Sequence, residues 1–394
     1  MSTLASLISP VTLEEFRQDH WERAPLHVPG GDSGRFTDLL SLADVGDLLS
    51  RTGSDLENIR VVIEGRETPV RELSANRGRN GTANAVEELY NRYRNGSTIV
   101  LNALERRWGP LGTFAADLGA EVNARFQANV YLTPGGESRG FNPHYDTHDV
   151  FVLQVHGVKR WRLYGSPYEL PLRSRPYDHS QEAPAPEREI EMNPGDVLYL
   201  PRGAIHAATS ADTASLHITM GVHPVLWAQV LQDAIGRLAS EDVRFRSGLP
   251  LGFANDKELR AQAADTVAGL VDVLAARLAP QELVEEAAKR AVSISPATLQ
   301  HHLTDLEAVS ALGLTTSVRR RPGLRWSADY GDEGVELEFH NKTVRLPGHV
   351  ADEVRCIAEA GGPFTAESIV GDLDTAGRLV LVQALVREGF LTLA

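Results

Sequence analysis

Apolar and polar residues recur with three different periods along this 394-residue chain, and the changes of period divide it. In the first hundred residues "TLEEFRQDHWERA" spaces its apolar side chains near 3.6 residues behind Thr12, a residue type that caps helices, while "IRVVIEG" predicts a short strand. From about 124 to 224 the texture becomes short runs rich in Val, Leu, Tyr and Phe, broken by "TPGG", "HGVK", "NPGD" and "PRGA". That pattern predicts an antiparallel all-β sandwich or barrel, with the Pro-rich "QEAPAPERE" (181–189) as a loop between strands. From about 225, "VLWAQVLQDAIGRLAS", "ELRAQAADTVAGLVDVLAARLA" and "QELVEEAAKRAVS" carry apolar residues at i, i+3, i+4 and i+7 and predict amphipathic helices. Their apolar faces must pack on the β-domain or on a second copy of the chain.

From about 315, strand-like "VELEFHNKTVRLP" precedes two helical patterns, "GHVADEVRCIAEA" and "TAGRLVLVQALVREG". A small helix-rich unit with a β-ribbon is similar to a winged helix. As a reader of DNA it is poorly equipped, because its last helix carries only Arg378 and Arg387 as cations, beside Glu388.

Composition narrows the setting. A chain this long outgrows one ordinary core, so two or three domains are expected. Cys356 is its sole cysteine, which excludes an internal disulfide and suits a reducing cytosol. The start shows no basic stretch leading into an apolar one, and no long uninterrupted apolar run occurs, so the expectation is a soluble cytoplasmic protein with no membrane contact. A formal charge of −14 argues against general affinity for nucleic acid and permits a basic partner.

The candidate chemistry lies in "NPHYDTHDVFVLQVHGVKRW" (142–161), where His144, Asp146 and His148 fall at every second position. On a strand they would share a face. Two imidazoles and a carboxylate with open coordination positions suit non-haem Fe(II) and oxygen chemistry. Three consecutive ligands on one strand would spread over about 13 Å, too far for one ion. A ligand from elsewhere is needed, and "MNPGDVLYLPRGAIHAATS" offers His206 just after the "PRGA" turn. His217 in "SLHITMGV" could line the same cavity or be a satisfied core histidine, whereas His156, His179 and His223 have no assigned role. A hairpin turn at "HGVK" would place Lys159, Trp161 and Leu163 on one face of the return strand. Lys159 then either reaches out to water at the strand end or meets a negative ligand inside.

The stretches "NVYLTPGGESRGFNPHYDTHDVFVLQVHGVKRWRLY", "MNPGDVLYLPRGAIHAATS" and "SLHITMGV" resemble the JmjC-type, cupin-fold 2-oxoglutarate oxygenases, specifically the group that hydroxylates ribosomal proteins. "FRQDHWERAPLHVPG" resembles that group's N-terminal entry motif, so the likeness spans nearly the whole chain and is most specific over 126–222. It implies an α+β protein: a double-stranded β-helix (cupin/JmjC) barrel with a helical N-terminal part over 1–224, a helical region suited to dimerisation over 225–312, and a winged-helix-like domain over 313–394. It also implies Fe(II) on His144, Asp146 and His206, with Lys159 gripping the far carboxylate of the co-substrate 2-oxoglutarate and Tyr131 and Asn129 lining its pocket. The expected reaction is hydroxylation of a side chain on a protein or peptide, a basic ribosomal protein being the natural candidate. Thr147 and His148 depart from the acidic residues usual after the H-x-D pair, which alters the rim that the substrate contacts. The rival reading is a non-catalytic metal-binding cupin that senses a ligand or binds a partner; a zinc or manganese isomerase would want more imidazoles and no such lysine.

Overall fold

The computed structural model describes residues 3–51, 58–68, 83–138, 140–180, 182–293, 299–331 and 334–394. The strand-rich middle is β5 (Arg125–Thr133), β6 (Asp149–His156), β7 (Lys159–Leu163), β8 (Arg188–Met192), β9 (Val197–Leu200), β10 (His206–Ser210) and β11 (Ser215–His223). The N-terminal part adds β1 (Leu26–Val28), β2 (Ile59–Ile63), β3 (Arg66–Thr68) and β4 (Thr98–Leu101). One eight-stranded antiparallel sheet runs β1-β9-β6-β11-β5-β4-β2-β3, and a three-stranded sheet runs β10-β7-β8. The expected strand at "IRVVIEG" and the expected β-rich middle are both present, and 182–187 is loop; Gln181, the first residue of that loop reading, lies outside the described residues.

Side-chain alternation explains why β6 is apolar at consecutive positions from Val150 to Leu153 and again at Val155. Val150 and Val152 join Trp161, Leu163, Ile190 and Met192 of the small sheet in a core between the sheets. Phe151, Leu153 and Val155 point the other way, into a larger core shared with the N-terminal helices. A strand covered on both faces has no polar side to show. Thr12 caps its helix as expected, its hydroxyl accepting from Glu15 N–H (3.2 Å) while the Glu15 carboxylate accepts from Thr12 N–H (2.8 Å). The next turn carries Phe16 and Trp21 onto Tyr199 of β9, at ring separations of 5.0 and 6.1 Å.

The "HGVK" turn exists but makes no hairpin. Gly157 turns at φ +65°, and a Cβ there would lie 1.8 Å from the Ala214 carbonyl, so only glycine fits. The strands that flank it enter different sheets, β6 between β9 and β11 and β7 between β10 and β8. The chain crosses the barrel at this turn. Lys159, Trp161 and Leu163 still share the buried face of β7, as the alternation required.

After the barrel come α-helices Trp227–Glu241, Lys257–Arg277 and Pro280–Ser293, in the predicted places. The first and third are joined by ion pairs Arg237–Glu286 and Arg290–Asp233, and Arg277 reaches Glu241 at 2.8 Å. Trp227, Leu231 and Ile235 remain exposed, and the 21-residue helix Lys257–Arg277 buries no residue. The C-terminal part has its own apolar core running from Val309 to Leu391. The "VELEFHNKTVRLP" stretch is two strands, Gly334–Phe339 and Lys342–Leu346, turned by His340 and Asn341 at φ +50° and +57°, in a three-stranded sheet with Trp326–Gly331. Among the described residues no helix is long and apolar enough to cross a membrane.

Candidate active site

Two distant segments meet backbone to backbone. His144 N–H donates to the His206 carbonyl (3.1 Å) and His206 N–H to the His144 carbonyl (2.8 Å), an isolated antiparallel bridge at the edge of β10. The rings stand 4.7 Å apart between centroids. Asp146 follows in an irregular segment pinned by Gly203 N–H, which donates to its carbonyl at 3.1 Å. Gly203 belongs to the "PRGA" turn, has φ +90°, and would bring a Cβ within 2.4 Å of the Tyr168 carbonyl. A ligand atom from each of His144, Asp146 and His206 lies within 4.8 Å of the others, a spacing that could hold one metal ion. His144, Asp146 and His148 are therefore not neighbours on one strand, because β6 begins only at Asp149. Their period-two spacing marks a loop that crosses the barrel mouth.

Backbone acceptors orient both imidazoles. His144 Nδ1 lies 2.8 Å from the Asn142 carbonyl and His206 Nδ1 3.0 Å from that of Ala204, so each Nδ1 carries the proton and each Nε2 keeps a free lone pair. Burial, with the neighbouring His144 second, pushes the His206 imidazole down to about 4, so the ring is neutral at ordinary pH. Burial works to raise the Asp146 carboxyl, but His148, His144, His206 and Arg60 outweigh it and hold it below the usual range. An ionised carboxylate and neutral imidazoles are the states that bind a divalent ion.

Behind the three ligands lies a cavity of about 250 Å³. Lys159 is 4% exposed there and donates to Thr133 Oγ1 at 2.7 Å, with Thr98 Oγ1 a further 3.1 Å on. Among the described residues no carboxylate pairs with it. Burial alone pushes its ammonium down to about 7. Trp161 Nε1 and His217 Nδ1 are also buried without hydrogen-bond partners among the described residues, and both side chains line the same cavity. An unpaired cation and two unsatisfied ring nitrogens in one closed space describe a site shaped for an anion with several oxygens. Lys159 thus turns inward, against the strand-end alternative. The Tyr131 ring stacks on His217 at 4.7 Å, and burial, then Asp146, pushes its phenol up to about 12, which keeps it a donor.

Other expected site residues fall differently. Asn129 is outside the cavity lining; its Oδ1 accepts from Ala103 N–H (3.0 Å) and Gln127 (3.3 Å). His148 turns away from the cavity to stack on His223 at 4.8 Å, over Gly221, where a Cβ would come within 2.7 Å of the ring. Arg60 from β2 and Phe141, which line the cavity, went unread in the sequence, as did Thr133, which accepts from Lys159. Thr133 could have been found, since it shares with Tyr131 the cavity face of β5, but nothing in "IRVVIEG" marks Arg60.

The turn that delivers His206 is anchored by a buried ion pair. Asp149, wholly buried, accepts from Arg202 N–H (2.8 Å) and from its guanidinium (3.0 Å), which also reaches Glu22. Asp149→Ala would leave the buried Arg202 guanidinium to Glu22 alone and its N–H without an acceptor, at a cost of about 1–3 kcal/mol. A correspondingly lower urea midpoint is expected; an unchanged midpoint would show that water reaches Arg202.

Residues 114–230 match the family model of the JmjC domain. The chain is 33% identical over 373 residues to ribosomal oxygenase 1 of Gallus gallus, covering 90% of this chain and 59% of that protein. It is 34% identical over 292 residues to the bifunctional lysine-specific demethylase and histidyl-hydroxylase NO66 of Drosophila persimilis, covering 71% of this chain and 42% of that one. It thus spans about half the length of these relatives. Its fold is that of Escherichia coli ribosomal oxygenase YcfD, with a TM-score of 0.54, 16% identity and 98% of each chain covered. A second YcfD structure, in complex with cobalt and 2-oxoglutarate, aligns at a TM-score of 0.53 with 16% identity, over 97% of this chain and 98% of that one. Residues 114–230 thus carry a JmjC domain, within a two-sheet barrel that has a metal-ligand cluster at its mouth. The chain's homologues are ribosomal oxygenases.

Proposed function

We propose that this chain is an Fe(II)- and 2-oxoglutarate-dependent oxygenase that hydroxylates a side chain of a protein or peptide, with a basic ribosomal protein as substrate. One observation carries the reading: His144, Asp146 and His206 converge within 4.8 Å beside a buried lysine that has no anionic partner. The donor set fits Fe(II), with two imidazoles and one carboxylate leaving further coordination positions open. The lysine fits the far carboxylate of 2-oxoglutarate. When bound, these groups supply oxygen activation: O₂ and 2-oxoglutarate are consumed, succinate and CO₂ are released, and one oxygen atom enters a substrate C–H bond.

The chain's own work is binding and exclusion. The Asn142 and Ala204 carbonyls hold the His144 and His206 rings in the tautomer that presents Nε2 to the ion. Lys159, steadied by Thr133, supplies positive charge at the inner end of the cavity, and the Trp161 and Tyr131 donors stand beside it. Val150 and Val152 form apolar wall that keeps bulk water from this end. Hydroxylation needs the reacting carbon held close to the ligand cluster, so the peptide would cross the mouth beside His179, whose ring lies 6.5 Å from that of His144. An overall charge of −14 suits a basic partner.

The remaining parts of the reading have separate support. The divisions 1–224, 225–312 and 313–394 have partial support: one apolar core lies within the first and another within the C-terminal part, though the latter begins at Val309, ahead of the proposed boundary; the last unit is read as winged-helix-like. The single cysteine supports a cytoplasmic setting. A homodimer is supported by the helix Lys257–Arg277, which is too exposed to hold its place alone and carries exposed Val267 and Val271. Val271→Glu with Trp227→Glu should convert a dimer into monomers in analytical ultracentrifugation; a monomeric parent protein would remove this part.

The test of the activity is to incubate anaerobically purified protein with Fe(II), 2-oxoglutarate, O₂ and ribosomal proteins, then search peptides for the gain of one oxygen. Succinate release with a hydroxylated peptide is expected. Binding of 2-oxoglutarate with neither product would leave the non-catalytic cupin as the better reading.

A further inference from the structure

Away from the ligand cluster, a second and larger cavity of about 1010 Å³ opens between the base of the barrel and the C-terminal unit. Its barrel wall is Glu105–Gly109, the first turns of the helix Gly109–Val122 and the start of β5; its other wall is the segment around His301 and the turn 319–325. Six arginines line it, Arg106, Arg107, Arg125, Arg319, Arg321 and Arg325, against the two carboxylates of Glu105 and Asp305. This inverts the balance of a chain whose formal charge is −14.

Internal pairing accounts for only part of this charge: Arg106 lies 3.5 Å from its neighbour Glu105, with most of its side chain exposed. Arg321 is satisfied, donating to Asp305 at 2.7 Å. Arg325 is 7% exposed, yet among the described residues its guanidinium finds only neutral carbonyls, those of Ala291 and Ala124, each at 2.9 Å, and its Nε has no partner. A buried guanidinium without a counter-ion is costly unless an anion lies near. The Arg125 side chain makes no hydrogen bond or ion pair among the described residues; burial, then the repulsion of Arg106, lowers the pKa of its guanidinium against a partial attraction from Glu105. The helix Gly109–Val122 contributes its N-terminal end, where Trp108 occupies the capping position without a side-chain acceptor. Free N–H groups and the helix dipole there favour negative charge.

The volume, at the upper end of the range for small-molecule sites of about 300–1,000 Å³, has room for an organic anion much larger than a lone inorganic ion. Trp108 and Phe126 add aromatic surface to a wall otherwise built of arginine forks, which grip phosphate oxygens bidentately. We propose that the cavity between the barrel and the C-terminal unit binds an organic polyphosphate of nucleotide size, held by Arg106, Arg125 and Arg319 around the N-terminus of the helix Gly109–Val122. This proposal does not depend on the oxygenase reading. Since the ligand would touch both units, its occupancy would also brace one against the other.

The test is calorimetric titration of the full chain with ATP, inorganic phosphate and a single-stranded oligoribonucleotide at near-physiological salt. The comparison is a double variant, Arg106→Gln with Arg125→Gln, whose fold is checked by its melting temperature. Saturable ATP binding, at least about tenfold tighter than phosphate and weakened at least about tenfold in the variant, is the expected result. Absence of saturation up to about 1 mM ATP, or equal affinity in the variant, would overturn it. Phosphate binding as tightly as ATP would reduce the site to a simple anion hole, and tighter, steeply salt-dependent binding of the oligoribonucleotide would assign the cavity to a nucleic-acid backbone; either result rejects the proposal.

Discussion

Succinate formation falls by at least about a thousandfold in His144→Ala, equivalent to about 4 kcal/mol of lost transition-state stabilisation. The substitution removes one of two imidazoles from the ligand cluster while leaving the backbone bridge to His206 intact, because that bridge uses only main-chain atoms. The unfolding midpoint should therefore move little, within about 0.5 kcal/mol, as for a partly exposed side chain outside the core. Affinity for Co(II), read from its absorption bands, should drop in step with activity. Retention of metal binding and turnover in this variant would remove His144 from the centre.

Lys159→Met separates co-substrate binding from metal binding. Removing one partner of a buried, charge-assisted contact costs about 2–5 kcal/mol, so 2-oxoglutarate affinity should weaken at least about thirtyfold with the metal site unaffected. The pH dependence follows from the same burial, which holds the ammonium down to about 7. Gripping a carboxylate requires the protonated amine, so apparent affinity should fall by about fiftyfold from about pH 7 to about pH 9, and the methionine variant should lose that slope. Stability moves in the opposite sense. In the ligand-free protein the folded amine has shed its proton above about 7 while the unfolded one keeps it up to the ordinary lysine value, so the unfolded state binds more protons. Stability should rise with pH through that window and the rise should be missing in the variant. A flat affinity profile in the parent protein would place the Lys159 amine away from the co-substrate.

Much of this centre could be read before any fold was known, because its chemistry is concentrated in two short motifs. "HYD" and "PRGAIH" carry the ligands, and the turn residue Gly203 explains why the second motif has that form. The alternation in β7 correctly placed Lys159 with Trp161 and Leu163. Pairing was less legible. A tight turn at Gly157 suggests a hairpin, yet whether the next strand folds back or crosses to another sheet depends on partners far along the chain. Period-two spacing of His144, Asp146 and His148 likewise belonged to a crossing loop, whose path is set by main-chain contacts to Gly203 and His206. Arg60 was out of reach because its strand joins the sheet beyond β4, and only the assembled barrel brings it to the cavity.

The reciprocal main-chain pairing of His144 with His206 has a further consequence. Two donors from remote segments are spaced by peptide geometry, which ordinary side-chain changes nearby barely perturb. The loops around the mouth can then diverge in length and composition, and so exchange one recognised polypeptide for another, while the coordination distances stay constant. A scaffold of this kind decouples the choice of substrate from the chemistry performed on it.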